Sequence, residues 1–268
     1  MFVTLPSTRL VLIAPIFAVL CVLPARAHAY DCGANPVLST GNITLTENWT
    51  TNNATTACIR LQSGHDVNLN GYKITCTNAS GCANAIGGVT GNTGSVVYDG
   101  KIEGPFNDAV RAFIDEVRSL TIDGADYAIH GAYFHKVHKN VLVNVRNGIV
   151  GGFTANNLDF ASDNFVAVDP DALFPDGIGI DLVGGASGSQ VGPQIKHNYV
   201  EGYRIGIQDW TFDNMRITEN FIGEPGNENP AYIFRMNVDT SHGLKTITGN
   251  LCTDATYCPT PTPPFTLP

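Results

Sequence analysis

Five short phrases of this chain share one pattern: DAVR (108–111), YAIH (127–130), NGIV (147–150), IGID (178–181) and IGIQ (205–208). The third residue of each is apolar: Val110, Ile129, Ile149, Ile180 and Ile207. The fourth reads Arg111, His130, Val150, Asp181 and Gln208. A guanidinium pairs with an anion, an imidazole trades a proton near neutral pH, and a carboxylate accepts hydrogen bonds. These groups act together only if the phrases are strands laid side by side, with the third position inward and the fourth outward. Arg111 and His130 then stand on adjacent rungs, close enough to act on one ligand. Tyr127 and Tyr133 flank the histidine, and His135, Lys136 and His138 follow just past the same strand.

The chain between the third and fourth phrases leaves two threadings open. Another β-like run, NFVAVD (164–169), lies between Ile149 and Ile180. If that run supplies the next rung, Val166 takes the ladder position and Asp181 moves into a loop. The turn-rich segment DPDALFPDG (169–177) that follows is suited to overhanging a groove. Its Asp169, Asp171 and Asp176 form a candidate Ca²⁺ site, the only cofactor indicated, although aspartates in turns commonly cap backbone N–H groups instead.

The elements that must position these groups are strands. Between residues 60 and 250 helical periodicity is nearly absent. Short alternating runs such as DVNLNGYKI, SVVYDGKI, RSLTIDGADYAI, KNVLVNVRNGIV and MRITENFIG are punctuated by Asn, Gly and Asp. Their starts recur at intervals of roughly 20 to 30 residues, from Val67 through Val96 and Leu120 to Val141, and again from Ile195 through Ile217 to Ile247. That period with strands and no helices predicts an all-β parallel solenoid, in which equivalent side chains stack at a strand spacing of about 4.8 Å. Val, Ile and Leu fill the interior, and Asn and Gly are expected to make the corner bends. An antiparallel sandwich is the competing architecture, but it calls for hairpins at shorter spacing.

LNGYKI (Leu69 to Ile74), the recurring -GI- strands and the NxI and NxV corners resemble the repeats of the pectin-lyase-like superfamily. The resemblance spans about Val67 to Asn250. It implies a single-stranded right-handed parallel β-helix, placed at residues 61–252, after an N-terminal cap at 30–60. It also implies a polysaccharide partner. Lyases and epimerases on this fold need a group that neutralises the uronate and a base for the C5 proton. Arg111 takes the first role and His130 the second, Tyr127 or Tyr133 protonates the leaving oxygen, and Asp181 stands further along the ladder. Lys136, His135, Gln208, Asp209 and Trp210 are the expected substrate contacts. Asp169-Pro170-Asp171 resembles the Asp-Pro-His motif of alginate epimerases, with Asp171 in place of the histidine.

The superfamily also contains polygalacturonases and non-catalytic solenoids. Pro175-Asp176-Gly177, Gln208-Asp209-Trp210 and Ser241-His242-Gly243 follow the order of the polygalacturonase motifs, with Trp210 where the second aspartate of the pair belongs. Inverting hydrolysis needs two carboxylates across the scissile bond. In a non-catalytic binding protein the same ladder is a wet sheet face. Trp49, Trp210, Tyr203 and Tyr232 are candidate sugar platforms, with packing into a coil as the alternative.

Composition sets the surroundings. Residues 1–29 read as a secretory signal peptide: Arg9, then an apolar run Leu10 to Leu23, then cleavage signals after Ala27 or Ala29. A secreted or periplasmic product, monomeric and without a membrane span, is expected. Without Arg9 and Arg26, 13 basic residues face 24 acidic ones, a formal charge of −11, which argues against a nucleic-acid partner. Six cysteines remain after Cys21 is removed, and six permit 15 pairings. The sequential pattern Cys32–Cys58, Cys76–Cys82 and Cys252–Cys258 is favoured because it staples the two ends of an elongated core. Asn42, Asn48, Asn53 and Asn78 lie in glycosylation sequons, and the Pro-rich tail 253–268 reads as extended or disordered.

Overall fold

The computed structural model describes residues 29–33, 36–88, 94–111, 114–131, 136–151, 161–168, 177–182, 194–209, 215–223, 235–238 and 246–252. Among these residues every regular element is a β-strand, and the strands form two sheets of seventeen and nine members. All strand pairings are parallel. The chain visits the nine-stranded sheet once, crosses the larger sheet, and returns beside its earlier strand. Phe106–Arg111 lies in the smaller sheet, Glu116–Asp123 in the larger, and Tyr127–Gly131 then pairs with Phe106–Arg111. The topology is compatible with a parallel solenoid. Strands within residues 30–60 join the same two sheets, with Val37 opposite Ile59 and Trp49 opposite Ile74.

Three columns of apolar side chains fill the interior. In the smaller sheet the column runs Ile59, Ile86, Val110, Ile129, Ile149, Ile180, Ile207. One column of the larger sheet runs Val67, Val97, Val117, Val137, Ala161, Ile195, Ile217. The other runs Ile74, Ile102, Ile122, Leu142, Val166, Val200, Ile222. Nearly all are fully buried. β-Branched side chains suit this pleated surface because their restricted χ1 loses little on packing.

The run NFVAVD belongs to the larger sheet: Phe165–Ala167 pairs with Val141–Val143. Ile178–Leu182 pairs directly with Asn147–Gly151, so Ile180 follows Ile149 and Asp181 follows Val150. Of the two threadings, the one that keeps Asp181 on the ladder is observed.

The corners meet expectation in part: Asn70, Asn144 and glycines such as Gly71, Gly104 and Gly202 take the left-handed bend, but one corner differs. Asn140, Asn164, Asn198, Asn220 and Asn250 do not make the bends; their side chains are buried and joined in series, each Nδ2 donating to the next Oδ1 at 2.9–3.0 Å. The same amides donate to carbonyls of the preceding coil, as from Asn164 to Val137 O at 2.9 Å. The left-handed bend falls one residue earlier, on Lys139, Asp163, His197, Glu219 and Gly249. Earlier in the chain this corner is apolar: Leu120, opposite Gly100, is buried there, and its N–H donates to Asn140 Oδ1.

The glycines of the -GI- phrases serve close packing rather than an unusual backbone. A Cβ at Gly179 would lie 2.3 Å from Val200 Cγ1 and 2.7 Å from Gly206 O. Tyr203, buried at 1 % exposure, fills the space alongside and donates its hydroxyl to Val145 O at 2.8 Å. Burial pushes its phenol far above the usual tyrosine value, and its packing removes it from the candidate sugar platforms. Gly179→Ala, which would stabilise an unobstructed strand, is expected instead to destabilise by about 1–3 kcal/mol through overpacking. Chemical denaturation of the variant measures it.

An ion-pair ladder runs across the larger sheet. Glu103 accepts from Lys73 Nζ at 2.8 Å and Lys101 Nζ at 3.2 Å, and Lys101 also reaches Asp123 at 3.6 Å. The hydrogen bond from Lys73, then that from Lys101, holds the Glu103 carboxyl below its ordinary value, and the bond to Glu103 raises Lys101. Glu103 therefore adds stability above the ordinary carboxylate value that is lost as pH falls through its lowered one. Lys101 adds stability below the ordinary lysine value that is lost as pH rises through its raised one. Glu103→Gln is expected to flatten the acid limb of unfolding free energy against pH by no more than about 1 kcal/mol, and high salt should mimic it.

Two disulfides, Cys32–Cys58 and Cys76–Cys82, follow the sequential pattern. Cys252 is disulfide-bonded as well, while Cys258 lies outside the described residues. Among the described residues no helix is long and apolar enough to cross a membrane.

Candidate functional site

The smaller sheet sets the five phrases in the expected register. Arg111 is opposite His130, His130 opposite Val150, Val150 opposite Asp181, and Asp181 opposite Gln208. Strict alternation fails just before this column. Ala109 and Val110 are both fully buried, so the positions on either side of them, Asp108 and Arg111, face the same way. A second column, Asn84, Asp108, Tyr127, Asn147, therefore stands beside the first.

Asp108 joins the two columns. Its Oδ1 lies 2.6 Å from His130 Nδ1, and its Oδ2 lies 3.4 Å from Arg111 Nη1. With the Asn84 amide turned so that its nitrogen faces the carboxylate, Asn84 donates to Asp108 Oδ2 at 3.2 Å and to Ala83 O at 2.8 Å. The Asp108 side chain is 6 % exposed, against 34 % for His130 and 55 % for Arg111. A carboxylate offers only acceptors, so the shared proton sits on Nδ1 and leaves Nε2 of the neutral ring as the base. The Tyr127 ring stacks on the imidazole at 4.6 Å and 24°. Carboxylate and phenol thus fix the ring from two sides, the arrangement that makes histidine an oriented proton acceptor.

Asp108 and Asn84 are not among the residues that the phrase alignment singles out. Their signal is present all the same: Asp108 opens the phrase DAVR, and polar residues recur at that place in Asn84, Tyr127 and Asn147.

The ladder changes character beyond His130. It is not exposed along its whole length, because Val150, Asp181 and Gln208 are buried, at 7 %, 9 % and 2 % exposure. Asp181 is two rungs from His130, with Val150 between them. Asp209 lies on the strand Ile205–Asp209 opposite Leu182, one place past the ladder. Lys136 is exposed but opens a strand of the larger sheet opposite Glu116, away from the His130 column. His138 there is bound to Glu116 at 2.9 Å. Tyr133, His135, Asp169, Asp171, Asp176, Trp210, Tyr232 and His242 lie outside the described residues. Among the described residues no three His, Cys, Asp or Glu side chains cluster as a metal site.

The aromatic side chains offer few free faces. Trp49 is half-buried and lies 4.6 Å from the Tyr30 ring. Phe165, Tyr199 and Phe221 stack in a column on the larger sheet with centroids 5.0 and 4.6 Å apart and planes within 11°. Their faces cover one another.

Nothing among known proteins supplies a shortcut from this geometry to an activity: the chain matches no protein-family model, no curated protein and no solved structure.

Proposed function

We propose that this chain is a single-stranded right-handed parallel β-helix of the pectin-lyase-like kind, exported from the cell. In this reading it acts on a uronate-containing glycan as a lyase or epimerase. One observation carries it: an imidazole held by a buried carboxylate at 2.6 Å, with a mostly exposed guanidinium on the next rung. Arg111 takes the uronate carboxylate, withdraws charge from it and so acidifies the C5 proton. His130 Nε2 removes that proton. In elimination the C5–H electron pair becomes the C4=C5 double bond, and the C4–O pair leaves with the oxygen, which Tyr127 protonates. In epimerisation the same C5 carbanion takes a proton on the opposite face of the ring.

Incubating the protein with polygalacturonate, alginate and glycosaminoglycans, with and without Ca²⁺, tests the reading. Growth of ultraviolet absorbance from unsaturated products supports elimination, and exchange of the C5 proton with deuterated solvent without chain cleavage supports epimerisation. New reducing ends without absorbance support a hydrolase instead. Silence in all three readouts overturns the enzymatic reading in favour of a carbohydrate-binding solenoid.

A further inference from the structure

The column that carries Arg111 and His130 continues toward the N-terminus. Gly87 lies opposite Arg111, and Arg60 lies opposite Gly87. Two arginines therefore stand on one face with a glycine between them, about 9.6 Å apart at two strand spacings. Over Gly87 opens a groove of about 290 Å³, lined by Thr55, Thr56, Ala57, Arg60, Asn84 and Gly87 among others. Asn84 is also the residue that donates to Asp108, so the groove adjoins the dyad.

Gly87 is what keeps the groove open. Its backbone lies outside the left-handed region, so any residue could adopt it. A Cβ there would lie 3.1 Å from Ala57 Cβ and 3.4 Å from Asn84 Nδ2, and a larger side chain would stand in the groove. Arg60 is exposed and forms no ion pair among the described residues, whereas Arg111 on the same face is partnered by Asp108, and Lys73 and Lys101 on the larger sheet are partnered by Glu103. In a chain with formal charge −9, an unpaired guanidinium at the edge of a polar groove is a place for an anion from outside.

We infer that the groove over Gly87 is a second anion subsite, in which Arg60 takes an acidic group of a polyanionic glycan whose reacting unit lies at Arg111 and His130. The glycan then runs along the stacking direction of the strands, with its distal acidic unit toward the N-terminal coils. This inference rests on the reading of the Asp108–His130–Arg111 face as the place of chemistry, and it names acidic groups at both ends of the bound segment.

Binding measured without turnover separates the two. Full-length protein carrying His130→Ala is run in affinity gels containing polygalacturonate, alginate, or polygalacturonate whose carboxyl groups have been reduced to alcohols. Retardation is expected from at least one acidic polymer and not from the reduced one. Adding Arg60→Ala should weaken it about tenfold, the scale of one charge-assisted pair. Arg60→Lys should restore part of the loss, and Gly87→Val should weaken binding while Arg60 remains in place. Unchanged affinity in the Arg60→Ala protein overturns the subsite, as does equal retardation by the reduced polymer or none by either acidic one. If Gly87→Val fails to fold, Arg60→Ala decides alone, because an exposed side chain can be truncated without disturbing the core. Arg60-dependent binding by a protein whose His130-bearing form yields no unsaturated product and no C5 exchange upholds the subsite and overturns the lyase and epimerase reading.

Discussion

Under the proposed lyase or epimerase reading, His130→Ala is expected to lower turnover of an acidic glycan by on the order of 10²–10⁴, with KM little changed, as follows when a group acts on the proton in transit rather than on bound substrate. The sharper test is Asp108→Asn. The variant keeps the shape of the contact but replaces one acceptor by an amide that donates. Turned with its nitrogen toward His130 Nδ1, the amide favours the tautomer whose proton sits on Nε2, and the base is lost. Turned the other way it still accepts, but the charge that steadies the imidazolium is gone. Asp108→Asn should therefore approach the loss seen in His130→Ala, and the double variant should lose little more than either alone, because the two residues act as one unit. Independent, multiplicative losses would sink the dyad. Asp108 is almost entirely buried, so a thermal melt of each variant is needed to separate lost chemistry from lost fold.

The second large effect is structural. Asn164→Ala is expected to cost about 3–5 kcal/mol and to lower Tm by roughly 10 °C. The Asn164 side chain accepts from Asn140 N at 3.1 Å and Nδ2 at 3.0 Å, and it donates to Val137 O and Asn198 Oδ1 at 2.9 Å each. It is 2 % exposed, so water cannot take over these bonds without entering the core. Truncation leaves the Asn140 N–H and the Val137 carbonyl without this partner and opens a void. Asn164→Asp separates the two halves of the role, since a carboxylate can still accept from Asn140. It cannot donate, and it meets the Val137 and Asn198 oxygens with a buried charge. Asp should therefore rescue nothing, and a melt in which it matches wild type would refute the ladder as a source of stability.

The sequence carried much of the fold because a repeating coil writes each constraint many times. Val110, Ile129 and Ile149 could be aligned from sequence spacing, which also stacked Arg111 on His130, while the step from Ile149 to Ile180 was one of two threadings that only the sheet pairing decides. What escaped it came from departures from period two. The consecutive inward residues Ala109 and Val110 bring Asp108 to the outward face, and an alternating pattern assigns Asp108 to the core side instead. The corner asparagines escaped for another reason. In sequence, an asparagine before an apolar residue reads the same whether it bends the backbone or ties two coils together. Only the distance to the next asparagine, 22 to 34 residues away along the chain, distinguishes them. Of the residues that take the left-handed bend there, Asp163 and Gly249 carry a turn signature, while Lys139, His197 and Glu219 carry none.

The corner also has a seam. Up to Leu120 it is closed by apolar contact, and from Asn140 onward by amides in series. The N-terminal part is further tied by Cys32–Cys58 and Cys76–Cys82. Asp108 and Arg111 precede that seam, while His130 belongs to the turn of chain that leads into Asn140. The two parts are held by bonds of different kinds, so warming or mild denaturant should loosen them unequally. The boundary between them runs beneath the imidazole and its carboxylate. The His130 ring should then lose its orientation against Asp108 before the strands come apart, while the far-ultraviolet spectrum still reads as folded.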